Sequence, residues 1–252
     1  MIRTAENWEE SRFFVPNEDA DVARAALSAL PEAPKRPVFV CGSGMLLFDV
    51  MGCCPEARAT AVDISEFQIA FFRDVQDAFR MARCPADLRE WFSCEVYPQL
   101  REHYLHRGQL YPLLNVYEAL RGRLGIRFFS DDAAFRDAKA LAPGVDSVRA
   151  DMADWLCRRS SDYDFVHLSN IVDYLPSETF PALFAACRAR RAPVLFIRTT
   201  ACDASEALFR AWRNAGYAEH PVSAELSRAN RALGAASSDK PWIRTGEVSL
   251  LV

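Results

Sequence analysis

The sequence contains no apolar run long enough to cross a membrane and no two cysteines spaced as Cys-x-x-Cys. A membrane-spanning helix needs roughly 20 consecutive apolar residues, so we expect no stable membrane insertion. A Cys-x-x-Cys pair is a common start of zinc and redox motifs, and without it we predict no metal site. The eight cysteines are scattered along the chain, and no signal-peptide pattern precedes them. Reduced thiols suit a cytoplasmic protein, which is the expected location.

Positive charge is also scarce. The 30 lysines and arginines are outnumbered by 34 aspartates and glutamates, for a net charge of -4. Binding to a phosphate backbone requires a clustered basic surface, so a nucleic-acid partner is not expected. A chain of 252 residues, half of them hydrophobic, can bury one α/β core. A small-molecule substrate is the expected partner, and the composition indicates no particular oligomeric state.

A glycine turn follows the first apolar run, Val38 to Cys41, and consists of Gly42, Ser43 and Gly44. Asp63 ends the next apolar run, about twenty residues later, which is the spacing of a nucleotide-binding βαβ unit. Such a turn lets the backbone approach a ligand, and the acid can accept hydrogen bonds from ribose hydroxyls.

The glycine turn lacks the third glycine of the G-x-G-x-x-G fingerprint, because Leu47 stands at that position. This departure disfavours the pyrophosphate of a dinucleotide, so an NAD-linked oxidoreductase is the last choice. It favours a nucleoside cofactor without phosphates, of which S-adenosyl-L-methionine (SAM) is the commonest.

Hydrophobic patterning predicts alternating strands and helices, typical of an α/β protein with a parallel sheet. The predicted strands are residues 38–41, 59–63, 145–150, 164–169, 193–199 and 247–252. Predicted helices cover residues 19–30, 45–51, 177–189 and 204–214. We predict an N-terminal arm or lid over residues 1–37 and a Rossmann-like domain over 38–252. The stretch from about 66 to 141 is too long for one crossover helix and is predicted to be a helical insertion.

In an open parallel sheet, ligands bind at the carboxyl ends of the strands. Asp63 with Ile64 and Asp151 with Met152 lie at two such ends. Asp151 could accept a hydrogen bond from an adenine amine while Met152 covers a ring face. Asp151 could equally cap the following helix, and the two roles are compatible.

The fourth predicted strand ends in a polar cluster formed by Ser169, Asn170, Asp173 and Tyr174. Polar side chains at a strand end contribute little to the core. This segment is therefore the first candidate for catalytic residues. His167, inside the same strand, is expected to be a buried core histidine rather than a catalytic base.

The predicted insertion is rich in aromatic side chains, and among them Trp91, Tyr97 and Tyr104 stand at helical spacing. Such aromatics usually form core. The alternative is that some of them cover the cofactor, because a sulfonium is attracted to ring faces. His103 and His106 share a helix face, but no third metal ligand accompanies them.

Taken together, these residues resemble class I SAM-binding proteins, and within them the bacterial diacylglycerol 3-amino-3-carboxypropyltransferase family of betaine-lipid synthesis. The resemblance is carried by six stretches: Asn7-Trp8-Glu9-Glu10, Val40-Cys41-Gly42-Ser43-Gly44, Ala61-Val62-Asp63-Ile64-Ser65, residues 107–117, Leu168-Ser169-Asn170-Ile171-Val172-Asp173-Tyr174-Leu175 and Ser238-Asp239-Lys240-Pro241-Trp242.

This resemblance implies a mostly parallel seven-stranded sheet, SAM as cofactor, and release of methylthioadenosine when the 3-amino-3-carboxypropyl group is used. The predicted cofactor-binding residues are Trp8, Cys41, Gly42, Ser43, Gly44, Asp63, Ile64, Asp151, Met152 and Ser169. The predicted catalytic residues are Asn170, Asp173, Tyr174 and Tyr104.

The reaction itself stays open between several alternatives. The aminocarboxypropyl group could be transferred to a small nucleophile, or the amino group of SAM could close on its own γ-carbon to give azetidine-2-carboxylate. A small-molecule methyltransferase shares the fold, and fold alone does not set the chemistry. A non-catalytic SAM-binding protein is a further alternative.

Overall fold

The computed structural model describes residues 19–52, 54, 56–105, 126–158, 160, 162–198, 205–235 and 246–252. Several sequence predictions therefore fall outside the described residues, namely those on Trp8, on His106 and on the stretches 7–10, 107–117 and 238–242. No helix of the described residues is long and apolar enough to cross a membrane.

The described chain forms six strands flanked by helices. The strands are β1 (Pro37–Val40), β2 (Thr60–Asp63), β3 (Asp146–Arg149), β4 (Phe165–Ser169), β5 (Val194–Arg198) and β6 (Glu247–Leu251). The helices are α1 (Ala20–Ser28), α2 (Met45–Met51), α3 (Glu66–Met81), α4 (Pro85–Trp91), α5 (Tyr97–Leu105), α6 (Asp132–Leu141), α7 (Met152–Cys157), α8 (Phe180–Ala189), α9 (Ser205–Asn214) and α10 (Val222–Ala235). A π-helical turn, Phe92–Val96, joins α4 to α5.

The six strands lie in one sheet in the order β3-β2-β1-β4-β5-β6. The first five are parallel, and β6 is antiparallel to β5. This order, with helices on both faces, confirms the predicted Rossmann-like α/β fold with a mostly parallel sheet. The parallel arrangement brings the carboxyl ends of β1, β2 and β4 to one edge of the sheet, where the glycine turn lies.

The predicted seventh strand is replaced, in the described residues, by a single bridge between Glu219 and Leu251. Ala218 and His220 extend this contact through backbone hydrogen bonds to the end of β6. The pairing stops there because Val222, the next residue in phase to donate to β6, begins α10 and donates its N–H to the ring of His220 at 3.2 Å instead.

The two faces of the sheet support separate cores, because alternate residues of each strand point to opposite sides. Phe39 of β1 belongs to the core cluster that includes residues of α1 to α4 and of α6, whereas its neighbour Val38 belongs to the cluster that includes residues of α7, α8 and α9. His167 is buried at 1% exposure and stacks on Phe39 with ring centroids 5.1 Å apart. The prediction of a core histidine is therefore confirmed.

Helix α1 lies inside the predicted N-terminal arm, yet it is part of the core. Its buried face, which includes Val22, Ala26 and Leu27, belongs to the same hydrophobic cluster as α2 and α3. The side chain of Asp19 caps the helix by accepting from the N–H of Asp21. The division of the chain at residue 37 stays a prediction, but α1 itself is packed rather than detached.

A buried carboxylate, Asp49 of α2, ties three parts of the chain together. Its side chain is fully buried and forms an ion pair with Arg24 of α1. One oxygen also accepts from the backbone N–H groups of Arg127 and Phe128, at 2.6 and 3.3 Å. Residues 126–129, which follow the undescribed part of the predicted insertion, are thereby held against α2, the helix that follows the glycine turn.

The described part of the predicted insertion is mostly helical, in α3 through α5 and again in α6, with turns or irregular chain at residues 82–84 and 126–131. Trp91 packs against the core next to Phe92, with ring centroids 6.1 Å apart. Tyr97 is 36% exposed. Position 104 lies on α5, but its side chain is outside the described residues.

Candidate functional site

The glycine turn, residues 42–44, follows Cys41 at the end of β1. Two of its residues have left-handed backbone conformations. Gly42 has φ +47° and Gly44 has φ +73°, a region that glycine enters without a steric penalty. The N–H of Gly44 donates to the carbonyl of Cys41 at 2.6 Å, which closes the turn. Helix α2 starts immediately after Gly44.

Asp63, at the end of β2, reaches the glycine turn directly. Its Oδ2 accepts from the N–H of Gly42 at 3.2 Å, and its Oδ1 accepts from the N–H of Ser65 at 2.9 Å. A carboxylate offers about four lone-pair sites, so each oxygen retains acceptor capacity for a ligand. Burial raises the pKa of Asp63 to about 6, against the opposing effect of the backbone N–H donors.

The open side of the turn is at Gly42. A Cβ added to Gly42 would meet no atom within 4 Å. The backbone of Gly42 is therefore accessible at the position where the sequence predicts a ligand. The carboxylate of Asp63 lies next to it.

The other turn residues contribute backbone rather than side chains. Cys41 is 3% exposed and its thiol donates to the carbonyl of Gln68 at 3.8 Å, away from the open side. Burial, with a smaller contribution from Asp63, raises the pKa of this thiol well above its usual range. Ser43 is also 3% exposed, and its hydroxyl accepts from the N–H of Met45 at 3.4 Å. Any contact of Cys41 or Ser43 with a cofactor is thus expected through the main chain.

We expect Gly44→Ala to destabilise the fold by roughly 2–4 kcal/mol. The substitution forces a left-handed conformation on alanine and drives its Cβ into the ring of Phe72. Urea unfolding measures the effect. The matched control is Gly144→Ala, where the Cβ would meet no atom within 4 Å and the change should stay within about 0.5 kcal/mol. Equal stability of the two variants would contradict the assigned packing.

Asp151 caps α7, since its side chain accepts from the N–H of Asp154 at 3.0 Å. One of its two predicted roles is therefore observed, and the adenine contact stays a prediction. Met152 is 6% exposed and packs with Val62 in the core below β2. Ile64 is half-buried between Asp63 and the start of α3.

The end of β4 is distorted. The pairing of β4 with β5 shifts register between His167 and Ser169, and Ser169 has φ +53°. A serine in this region is strained, and such residues concentrate at functional sites. The hydroxyl of Ser169 lies 3.3 Å from Oδ1 of Asn170, which is half-buried.

The distortion turns the chain into a short 3₁₀ helix, Ile171–Asp173. Val172 is buried under it, while Asp173 is half-buried and Tyr174 is 36% exposed. Because β1 lies between β2 and β4, this segment and Asp63 stand on opposite sides of the glycine turn. The structure thus places the two predicted halves of the site at one sheet edge, and it leaves Trp8 and the side chain of Tyr104 outside the described residues.

Sequence reasoning missed Gln68 of α3. The side-chain amide of Gln68 donates to the carbonyl of Gly42, and the residue is 1% exposed. Ser65-Glu66-Phe67-Gln68 has the pattern of a capping box, in which the glutamine side chain would return to the N–H of Ser65. That N–H is already donated to Asp63, and the glutamine reaches the glycine turn instead.

A separate cavity of about 600 Å³ runs along the outer side of α3, between this helix and α4 and α5. Its walls combine Phe67, Phe71 and Trp91 with the carboxylates of Asp74 and Glu95. It does not include the glycine turn or Asp63. No group of three potential metal ligands occurs among the described residues.

No family model matches the chain, and no curated protein matches it. Among solved structures, it is similar to the glycopeptide N-methyltransferase MtfA complexed with S-adenosyl-L-homocysteine, at 12% identity and TM-score 0.47 over 98% of this chain and 93% of that one. The same enzyme complexed with SAM matches at 12% identity and TM-score 0.45, over 100% and 98% of the two chains. The StiE O-MT, residues 961–1257, matches at 12% identity and TM-score 0.45, over 99% and 86%. At this level of similarity, the fold of the chain rests on its own strand order.

Proposed function

We propose that the protein is a SAM-dependent transferase that modifies a small molecule. The observation that carries this proposal is the contact between Asp63 and the glycine turn beside the open face of Gly42. A half-buried carboxylate with spare acceptor capacity fits the two hydroxyls of a ribose. Leu47, in place of the third glycine, is 1% exposed and packed in the core, which suits a nucleoside better than a pyrophosphate.

Each residue of the site would then contact the part of the cofactor nearest to its place on the sheet edge. Asp63 binds the ribose, and the cap residue Asp151, at the end of the neighbouring strand β3, lies on the adenine side. Ser169 and Asn170, beyond the glycine turn, would orient the remainder of the cofactor. When bound, the cofactor supplies a carbon activated by its sulfonium, so the protein has mainly to align the acceptor and exclude water. Asp173 could accept a proton from an amine acceptor.

Methyl transfer is the first reaction to test. The methyl is the least hindered of the three carbons on the sulfonium, so in-line attack on it demands the least special alignment. Transfer of the aminocarboxypropyl group, or its cyclisation, is the second candidate. It is favoured by the polar segment from Ser169 to Tyr174, which resembles a motif of the aminocarboxypropyltransferases and occupies the distorted end of β4.

Two forms of labelled SAM separate these reactions. The protein is incubated with SAM carrying ¹³C either in the methyl group or in the aminocarboxypropyl chain, with and without a small-molecule extract as acceptor. Mass spectrometry then identifies the nucleoside product. S-Adenosylhomocysteine with a labelled methyl in the acceptor is the expected result.

Methylthioadenosine formed above the level of a protein-free control would instead establish use of the aminocarboxypropyl group, and its formation without acceptor together with labelled azetidine-2-carboxylate would establish cyclisation. Binding of the cofactor without consumption would favour a non-catalytic protein. A folded protein that fails to bind S-adenosylhomocysteine at about 1 mM by calorimetry would overturn the proposal.

A further inference from the structure

We propose that Gln68 is a positioning residue that aims the backbone N–H of Ser43 into the cofactor site. This role rests on the proposed function, because it concerns how the glycine turn holds the same nucleoside cofactor. The starting observation is that the buried side-chain amide of Gln68 donates to the carbonyl of Gly42.

Fixing one carbonyl fixes the next N–H. A peptide group is planar and trans, so the carbonyl of Gly42 and the N–H of Ser43 point in opposite directions. The carbonyl of Gly42 is held towards α3 by Gln68. The N–H of Ser43 must therefore point away from α3.

The hydrogen bonds of the turn show which N–H is left for a ligand. The N–H groups of Cys41, Gly42 and Gly44 donate to Val62, Asp63 and Cys41, respectively, and that of Met45 donates to the Ser43 hydroxyl. Within the part of the chain that the structure describes, Ser43 is the turn residue whose N–H has no acceptor. A backbone N–H aimed out of a glycine turn is a typical donor to an anionic ligand group. The carboxylate of the cofactor's amino-acid part has the matching chemistry.

Gln68 is itself held rigidly. Its N–H donates to the hydroxyl of Ser65 at 3.4 Å, and the N–H of Ser65 donates to Asp63. Since Asp63 accepts from Gly42, these contacts close a ring that runs from the glycine turn to Asp63, to α3 and back. The ring presets the turn before a cofactor arrives, which reduces the ordering cost of binding.

The test compares Gln68→Leu and Gln68→Glu with a matched control, Gln76→Leu. Gln76 lies on the same helix, is buried at 7% exposure, and donates to the carbonyls of Ala142 and Val145 at 2.7 and 2.9 Å. It is equally a buried glutamine bound to backbone carbonyls, but it does not touch the turn. Calorimetry measures the dissociation constant for S-adenosylhomocysteine, and urea unfolding measures stability.

We expect Gln68→Leu to raise this dissociation constant about tenfold, whereas Gln76→Leu leaves it within about twofold despite a comparable loss of stability. Gln68→Glu should weaken binding at pH 8, and its deficit relative to the wild type should shrink towards pH 5.5, because a protonated Glu can again donate to Gly42. In the cofactor-free protein, NMR should show faster amide hydrogen exchange at Gly42 in Gln68→Leu but not in Gln76→Leu.

Equal effects of Gln68→Leu and Gln76→Leu on binding would overturn the positioning role and leave Gln68 as a structural residue. Wild-type affinity in Gln68→Leu would overturn it as well. These outcomes are distinct from failure of the proposed function, in which the folded wild type itself would not bind S-adenosylhomocysteine.

Discussion

Asp63→Asn is expected to weaken binding of S-adenosylhomocysteine roughly a hundredfold, because the proposed contact with the ribose would lose its negative charge and one of its two acceptor oxygens. The amide keeps one acceptor oxygen but presents a donor where the second ribose hydroxyl requires an acceptor. Stability should change little. The substitution removes a charge whose burial raises the pKa of the native carboxyl, and this gain offsets the loss of one backbone hydrogen bond.

The pH dependence of binding gives an independent check on the same residue. The pKa of Asp63 is raised to about 6 in the free protein, so the carboxylate is fully formed at pH 8 and is lost as the pH falls through 6. Wild-type affinity should therefore be about tenfold weaker at pH 5 than at pH 8. The Asp63→Asn variant should show a flat profile over this range. A pH-dependent profile in Asp63→Asn that parallels the wild type would assign the titration to another group.

Asp49→Ala is expected to lower the free energy of unfolding by about 3–5 kcal/mol, because Arg24 loses its buried carboxylate partner and keeps the contact with Asp21, whose side chain is 69% exposed. The side chain of Arg24 is only 12% exposed. The N–H groups of Arg127 and Phe128 also lose their acceptor, which adds to the cost. Urea unfolding monitored by circular dichroism measures the difference.

Asp77→Ala is the matched control for Asp49→Ala. Asp77 also pairs with an arginine, Arg80, but the two side chains are 61% and 53% exposed. Exposed pairs contribute little, so the control should lose less than about 1 kcal/mol. A similar loss in both variants would show that burial of Asp49 does not set the energetics of this contact.

The glycine turn and the position of Asp63 beside it could be predicted from sequence because their signals are local. A glycine turn after an apolar run, followed by Asp63 at the end of the next run, is a pattern of composition and spacing alone. The start of α2 at Met45 and its end at Met51 follow from the same pattern and agree with the structure. The role of Asp151 as a helix cap can likewise be predicted from the helix-forming residues that follow it.

The remaining features depend on contacts between distant segments. Asp49 contacts residues 78 and 79 positions later in the chain, and nothing local marks it as the partner of Arg24. Gln68 fits a capping-box pattern, and only the competition of Asp63 for the N–H of Ser65 diverts it to Gly42. The bulge at Ser169 follows from the pairing of β4 with β5, which the sequence of β4 does not encode by itself. The reduction of the seventh strand to a bridge similarly depends on the pairing of Glu219 with Leu251 and on the start of α10 at Val222.

The buried carboxylate of Asp49 has a consequence for how this protein can diverge. The long stretch after β2 leaves the core through α3, which Gln68 and Ser65 fasten to the glycine turn, and returns through residues 126–129, which Asp49 fastens to α2. The glycine turn and α2 are thus held by contacts at the two ends of this stretch, and not by the exposed positions between them. Exposed residues such as Glu90 and Cys94 can therefore change while Gly42, Asp63 and α2 stay in place, whereas Leu88 and Phe92 belong to the core and cannot change freely.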